Sequence, residues 1–315
     1  LVGDHNFTMT DIILDCDPGH DDAIAMLLAG FHEDIAIKAI TTVAGNQTLE
    51  KTSVNARRML TLMERDDIPV AAGMDEPLVR SLTVADHVHG ESGLDGPELP
   101  EPEVGLDDRH GVDLIIETIR ERDESISIVP VGPLTNIAMA LKKAPAIKNG
   151  IDQIILMGGG ITRTNYTPAA EFNIFVDPEA ARLVFESGID VTMIGLDVTF
   201  ESQILPEEVD QIRRSGEIGT IVAGFLDYAA QYYQETHDLD GYPVHDAVAV
   251  GHLAEGVVDT ERMRVDIETE SEFCDGRTVC DIDGRTGRQN NADVGVGLDR
   301  DAFLNLLFEA IESYR

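Results

Sequence analysis

Four carboxylates fall within eight residues of this chain, in the run Asp15-Cys16-Asp17-Pro18-Gly19-His20-Asp21-Asp22. Carboxylates packed this tightly repel one another unless a cation holds them. A hard divalent ion such as Ca²⁺ or Mg²⁺ suits them, because it takes carboxylate, backbone carbonyl and water oxygens together. The apolar stretch 12–14 reads as a buried strand, Pro18-Gly19 forces a turn, and Asp21 and Asp22 open a helical stretch over 23–31 with Ile24, Leu27 and Leu28 on its apolar face. The acids therefore crowd the carboxyl edge of a strand, where open α/β sheets bind their ligands. Capping of the helix and complementing of its dipole would account for Asp21 and Asp22, but not for all four acids.

The elements that must position these groups alternate along the chain. Apolar strands are expected at 12–14, 35–42, 68–71, 126–131, 154–157 and 191–194, with helices such as 49–63, 112–122, 134–141 and 178–187 between most of them. That alternation predicts an α/β fold, an open and mostly parallel sheet wrapped by helices, with the site at the carboxyl ends of its strands. Two segments interrupt it: a Gly/Pro-rich loop at 73–109, and a helical region at 206–236 that runs into a polar stretch ahead of His245. Long loops in compact domains often cover a site. One domain over 9–315 is expected, with residues 1–8 as an N-terminal extension or a remnant foreign to the natural chain.

Composition narrows the function classes. With 59 acids against 23 bases the formal charge is −36, spread along the whole chain, and only five of the bases are Lys. Nucleic-acid binding is disfavoured, since phosphate contacts need a basic face. Such a surface repels itself at low ionic strength, while about 1 M salt shortens the screening length to roughly 3 Å, so adaptation to a salt-rich cytoplasm is the expectation. No apolar run reaches the roughly 18 residues of a membrane helix and no signal peptide is evident, which predicts a cytoplasmic protein without a membrane partner. Three cysteines, Cys16, Cys274 and Cys280, argue against a disulfide framework. Cys274 and Cys280 are expected on facing strands, and all three are read as reduced.

The octapeptide from Asp15 to Asp22 resembles the signature of the inosine-uridine-preferring nucleoside hydrolases. Seven further stretches agree in order: Thr41-Thr42-Val43-Ala44-Gly45-Asn46, His87-Val88-His89-Gly90-Glu91-Ser92-Gly93, Gly132-Pro133-Leu134-Thr135-Asn136, Met157-Gly158-Gly159-Gly160, Ala170-Glu171-Phe172-Asn173, Asp177-Pro178-Glu179-Ala180-Ala181 and Val244-His245-Asp246. The resemblance implies Ca²⁺-dependent hydrolysis of the N-glycosidic bond of a ribonucleoside to free base and ribose, by a homodimer or homotetramer.

Cleavage of that bond passes through an oxocarbenium-like sugar, so water must be activated, positive charge stabilised and a nitrogen base helped to leave. The resemblance makes Asp17 the base and assigns the metal to Asp17, Asp22, Asp246 and the backbone carbonyl of Val131. It gives Asp21 the 2′-hydroxyl, and lines the metal water and the other hydroxyls with Asn46, Asn165, Glu171 and Asn173, with Phe172 in the same motif. Met157 would pack under the sugar, and His89 would meet the substrate from above. His245 is the candidate acid for the leaving base, because a His beside a metal-bound Asp reaches the same substrate and titrates near neutrality. The family often places two tyrosines a turn apart near the base; here Tyr233 holds one position and Ala229 the other, with Tyr228 and Tyr232 displaced by one. Purine-specific members of the family stack the base between tryptophans, and this chain has none, so the resemblance implies inosine/uridine hydrolysis or, alternatively, a pyrimidine preference. A different class, the Mg²⁺-dependent haloacid-dehalogenase-type phosphatases, also begins with Asp-x-Asp, but here Gly19 stands where Thr or Val belongs.

Overall fold

The computed structural model describes residues 9–237 and 239–314; the segment 1–8 and the final residue, on which part of the expected domain boundaries falls, lie outside them. Eleven strands occur among the described residues: β1 Thr10–Cys16, β2 Ile35–Thr42, β3 Val70–Ala72, β4 Ile126–Pro130, β5 Ile151–Met157, β6 Val191–Ile194, β7 Gln203–Ile204, β8 Tyr242–Pro243, β9 Val258–Ile267, β10 Thr278–Asp281 and β11 Ala292–Leu298. Nine form one sheet in the order β10-β9-β11-β6-β5-β4-β1-β2-β3, and β7 pairs with β8 apart from it. Strands β1 to β6 and β11 run parallel, and β9 is antiparallel to both its neighbours.

The alternation of β1 across the sheet sorts its residues. Ile12, Leu14 and Cys16 enter the core on one face, with the helices His20–Phe31 and His245–Glu255, while Ile13 enters the core on the other. The helix His20–Phe31 is buried from His20 to Ala29, and it packs against His245–Glu255. A helix apolar on all sides is a central one, so its N-terminus is fixed from every direction.

From β1 the chain steps outward through β2 to β3, then crosses to the other side of β1 with β4. The order reverses between β1 and β4, and the crevice outside their carboxyl ends is where such sheets take ligands. Asp17 follows β1 and Val131 follows β4, and the Val131 amide donates to the Asp15 carbonyl at 2.8 Å.

The expected strands stand with shifted ends. The region 206–236 is two helices, Pro206–Arg213 and Glu217–His237. In the loop 73–109 the only helix among the described residues is Asp86–His89. Cys274 and Cys280 do not face each other across strands: Cys280 lies on β10, Cys274 lies in the turn before it, and all three cysteines are free. No helix of the described residues is long and apolar enough to cross a membrane.

Candidate active site

Two helix N-termini converge at the carboxyl edge of the sheet. Asp21 and Asp22 lie in the first turn of His20–Phe31 and Asp246 in the first turn of His245–Glu255, where the partial positive charge of a helix start favours carboxylates. Oxygens of Asp21, Asp22 and Asp246 come within 4.8 Å of one another. Asp22 is oriented by the backbone it follows, one oxygen accepting from the Asp17 amide and the other from the Gly19 amide, each at 3.0 Å. Asp17 sits beside it: its Oδ2 accepts the Asn46 amide at 2.6 Å, and its Oδ1 is buried without a hydrogen-bond partner. A Cβ at Gly45 would strike Asp17 Oδ2 and one at Gly132 would strike Oδ1, so two glycines leave just enough room for the carboxylate.

Burial raises the pKa of all four acids, Asp17, Asp21, Asp22 and Asp246, and for Asp17, Asp21 and Asp246 neighbouring carboxylates are the next cause. Without a counter-charge this burial favours their protonated forms; with a cation they are an all-oxygen ligand set. The partnerless buried oxygen of Asp17 is the atom that most plainly fits a cation.

Asp15 corrects the picture of four acids around one ion. By strand alternation it points to the opposite face from Cys16. There its Oδ1 accepts from Thr41 Oγ1 at 2.5 Å and Asn136 Nδ2 at 2.7 Å, and burial lifts its pKa to about 7. It braces β1 against β2 and the helix Thr135–Lys143.

Above this floor opens a cavity lined by Asp21, Asn46, Val131, Met157, Asn173 and Asp246 below, and by His89, Asn165, Phe172, Tyr233 and His245 around it. Every expected substrate residue lines it; Asp17 and Asp22 lie beneath its floor, fully buried. Asn46 Nδ2 ties Asp17 to Asp22, donating to the Asp17 carbonyl at 3.2 Å and Asp22 Oδ2 at 3.1 Å. Asn173 Nδ2 donates to the Val131 carbonyl at 2.8 Å, the oxygen expected as a metal ligand. Glu171, expected near the metal water and the ribose hydroxyls, lines the cavity and also caps the helix Phe172–Val176: its carboxylate accepts the amides of Gly159, Asn173 and Ile174 at 2.9, 2.9 and 3.0 Å. Asn165 Oδ1 accepts the Phe172 amide at 2.9 Å.

On one wall His245 Nε2 lies 3.0 Å from the Tyr233 hydroxyl and its Nδ1 lies 2.7 Å from Thr199 Oγ1. Burial keeps the Tyr233 phenol protonated far above its ordinary range. Opposite, His89 is held against His20, ring nitrogens 3.2 Å apart, and His20 Nε2 reaches the Asp95 carbonyl at 2.8 Å. Burial pushes the pKa of both imidazoles down, that of His20 to about 4.

Several lining residues carried no expectation: Ala85, His87, Val88, Tyr166, Tyr232 and Tyr242. Tyr242 donates to Asp21 Oδ1 at 3.1 Å. The signal that would have found it is its place three residues before His245, between a Gly and a Pro.

The comparisons with known proteins agree with this geometry. The chain is 48% identical to the pyrimidine-specific ribonucleoside hydrolase RihA of Escherichia coli O1:K1 / APEC over 306 residues, 96% of this chain and 98% of that one. The same identity and shares hold for RihA of Salmonella typhi. Among solved structures, the purine-preferring ribonucleoside hydrolase from Gardnerella vaginalis superposes with a TM-score of 0.91 at 33% identity, over 97% of this chain and 99% of that one. The plant nucleoside hydrolase PpNRh1 gives 0.90 at 29% identity, over 97% and 99%. With the family model of inosine-uridine preferring nucleoside hydrolases matching residues 12–305, the chain belongs to that family, ribonucleoside hydrolases acting on N-glycosyl bonds.

Proposed function

We propose that this enzyme is a pyrimidine-preferring ribonucleoside hydrolase that uses a divalent cation, Ca²⁺ by its all-oxygen donors. The observation that carries the reading is the meeting of the Asp21, Asp22 and Asp246 carboxylates within 4.8 Å under a cavity whose wall holds the His245–Tyr233 pair. Asp22 and Asp246 of that cluster, with Asp17 through its unpartnered oxygen and the Val131 carbonyl, would hold the ion, which leaves Asp21 to the sugar. When bound, the ion would lower the pKa of a water and neutralise the carboxylates.

The protein's own groups account for the rest. Asp17 takes the proton of the attacking water, its carboxylate held in place by the Asn46 amide on Oδ2. Asp21, Asn46 and Asn173 bind the sugar hydroxyls, and Met157 lies beneath the ring. As the C1′–N bond breaks, its electron pair goes to the base, which takes a proton from the His245–Tyr233 pair. Glu171 acts through its cap, fixing the loop after β5 and the start of the helix that carries Asn173. The cavity offers a base Tyr232, Tyr166 and Phe172 rather than any Trp, and the 48% identity to a pyrimidine-specific enzyme supports the same preference.

The test is release of free ribose from uridine, cytidine, inosine and adenosine, with and without chelation. Chelator-sensitive release, fastest from uridine or cytidine, is the expected result. Faster release from inosine would overturn the base preference, and release unaffected by exhaustive chelation would overturn the cation.

A further inference from the structure

Tyr242 and Pro243 form β8, pinned antiparallel to β7 with Tyr242 opposite Ile204 and Pro243 opposite Gln203. A Cβ on Gly241 would run into the Ile204 carbonyl, so the approach of these strands requires glycine there. Two-residue strands add little stability of their own; their effect is to aim a side chain. The one they aim is fully buried, stands edge-on to Tyr233 with ring centroids 5.2 Å apart, and places its hydroxyl 3.1 Å from Asp21 Oδ1. Burial raises the phenol's pKa, keeping it a donor.

An ionised carboxylate only accepts hydrogen bonds. The Tyr242 hydroxyl on Oδ1, with a hydrogen bond from the Asp246 backbone, sets the plane of the Asp21 carboxylate. Its remaining acceptor capacity turns to the cavity it lines, where a sugar offers hydroxyl donors.

We propose that Tyr242 is a positioning residue for the sugar, holding Asp21 so that its carboxylate accepts one ribose hydroxyl and the site favours ribosides over deoxyribosides. This rests on the nucleoside-hydrolase reading of the cavity. A sugar lacking that hydroxyl leaves Asp21 with an unanswered acceptor in a buried acidic site, and sites built to bond a hydroxyl reject analogues without it. A carboxylate free to turn away from that hydroxyl would lose the discrimination.

Tyr242→Phe removes the hydroxyl and keeps the ring against Tyr233. The experiment compares wild type and variant by kcat and KM for uridine, and by inhibition constants for 2′-, 3′- and 5′-deoxyuridine. The expected result is a rise in the uridine KM of about tenfold, the size of a lost hydrogen bond to a charged group, with a smaller change in kcat. The 3′- and 5′-deoxy analogues should weaken by the same factor, and 2′-deoxyuridine should bind variant and wild type alike. Gly241→Ala, which displaces Tyr242 without altering it, should give the same pattern, and melting temperatures report whether each variant folds. Equal weakening of all four nucleosides, or of none, overturns the proposal. A wild-type protein that neither cleaves uridine nor is inhibited by any analogue overturns the nucleoside reading beneath it, and the proposal with it.

Discussion

The floor and the wall of the cavity are built on different principles. The floor is charge: carboxylates of one sign, placed by two helix N-termini and one strand end, oriented by backbone amides and hemmed in by glycines. The wall is neutral and aromatic: His245, Tyr233, His89 and Tyr232 arrive from the helices Glu217–His237 and His245–Glu255 and from the loop 73–109, each positioned by side-chain partners. The floor is tied to backbone amides, whereas the wall rests on side-chain contacts. On the proposed function, chemistry common to all ribonucleosides belongs below and base preference above.

The most severe way to test that division is Asp17→Ala, which should lower kcat by about 10⁴-fold on every nucleoside, in steady-state ribose release. Near-wild-type turnover would remove Asp17 as the base. Next is the cation: at a thousandfold excess over its dissociation constant it should stabilise the fold by about 4 kcal/mol, read as a rise in melting temperature. In its absence stability should fall as pH rises, because Asp15 keeps a proton in the folded chain up to about pH 7 but loses it near 3.8 when unfolded. Between those values the native state binds more protons, so each step up in pH favours the unfolded one; the raised pKa values of the floor acids act in the same direction, and bound cation should flatten that part of the slope.

On the wall, His245→Ala should cost about 10²-fold on uridine and much less on a riboside whose leaving group departs without a proton, such as 4-nitrophenyl riboside. An equal loss on both would move His245 into the floor's chemistry. Glu171→Gln should cost about 1–3 kcal/mol of unfolding free energy, since an amide would turn a donor toward one of three backbone N–H groups. The smallest effect belongs to the surface: at a charge of −36, melting temperature should rise by a few degrees between about 0.1 and 1 M KCl as the screening length shortens.

The Asp17–Asp22 part of the floor could be read because its spacing is local, with strand, Pro-Gly and helix signals fixing which edge it occupies, whereas Asp246 entered only through the resemblance in Val244-His245-Asp246. Asp15 misled because a count of acids ignores the two-residue period of a strand, which sends it to the other face. Glu171 carried a polar motif, but only coordinates show that three amides already occupy it. Tyr242 offered only its place between Gly241 and Pro243 ahead of His245, and its tie to Asp21, more than two hundred residues away, shows only in the fold. Strands β9 to β11 went unread for a different reason: charged residues alternate through Val258–Ile267, where four consecutive positions are exposed, so the apolar runs that betray the buried parallel strands are missing.

The span between Asp22 and Asp246 has a mechanical meaning. They sit on packed helices from opposite ends of the chain, so an ion gripped by both closes a loop containing most of the protein. Such a clasp restricts the unfolded chain as a long-range crosslink does, and it cannot be fastened until the helices His20–Phe31 and His245–Glu255 have packed together. The same atoms that ready the enzyme for catalysis would then also lock its fold, and a chelator would undo the two together.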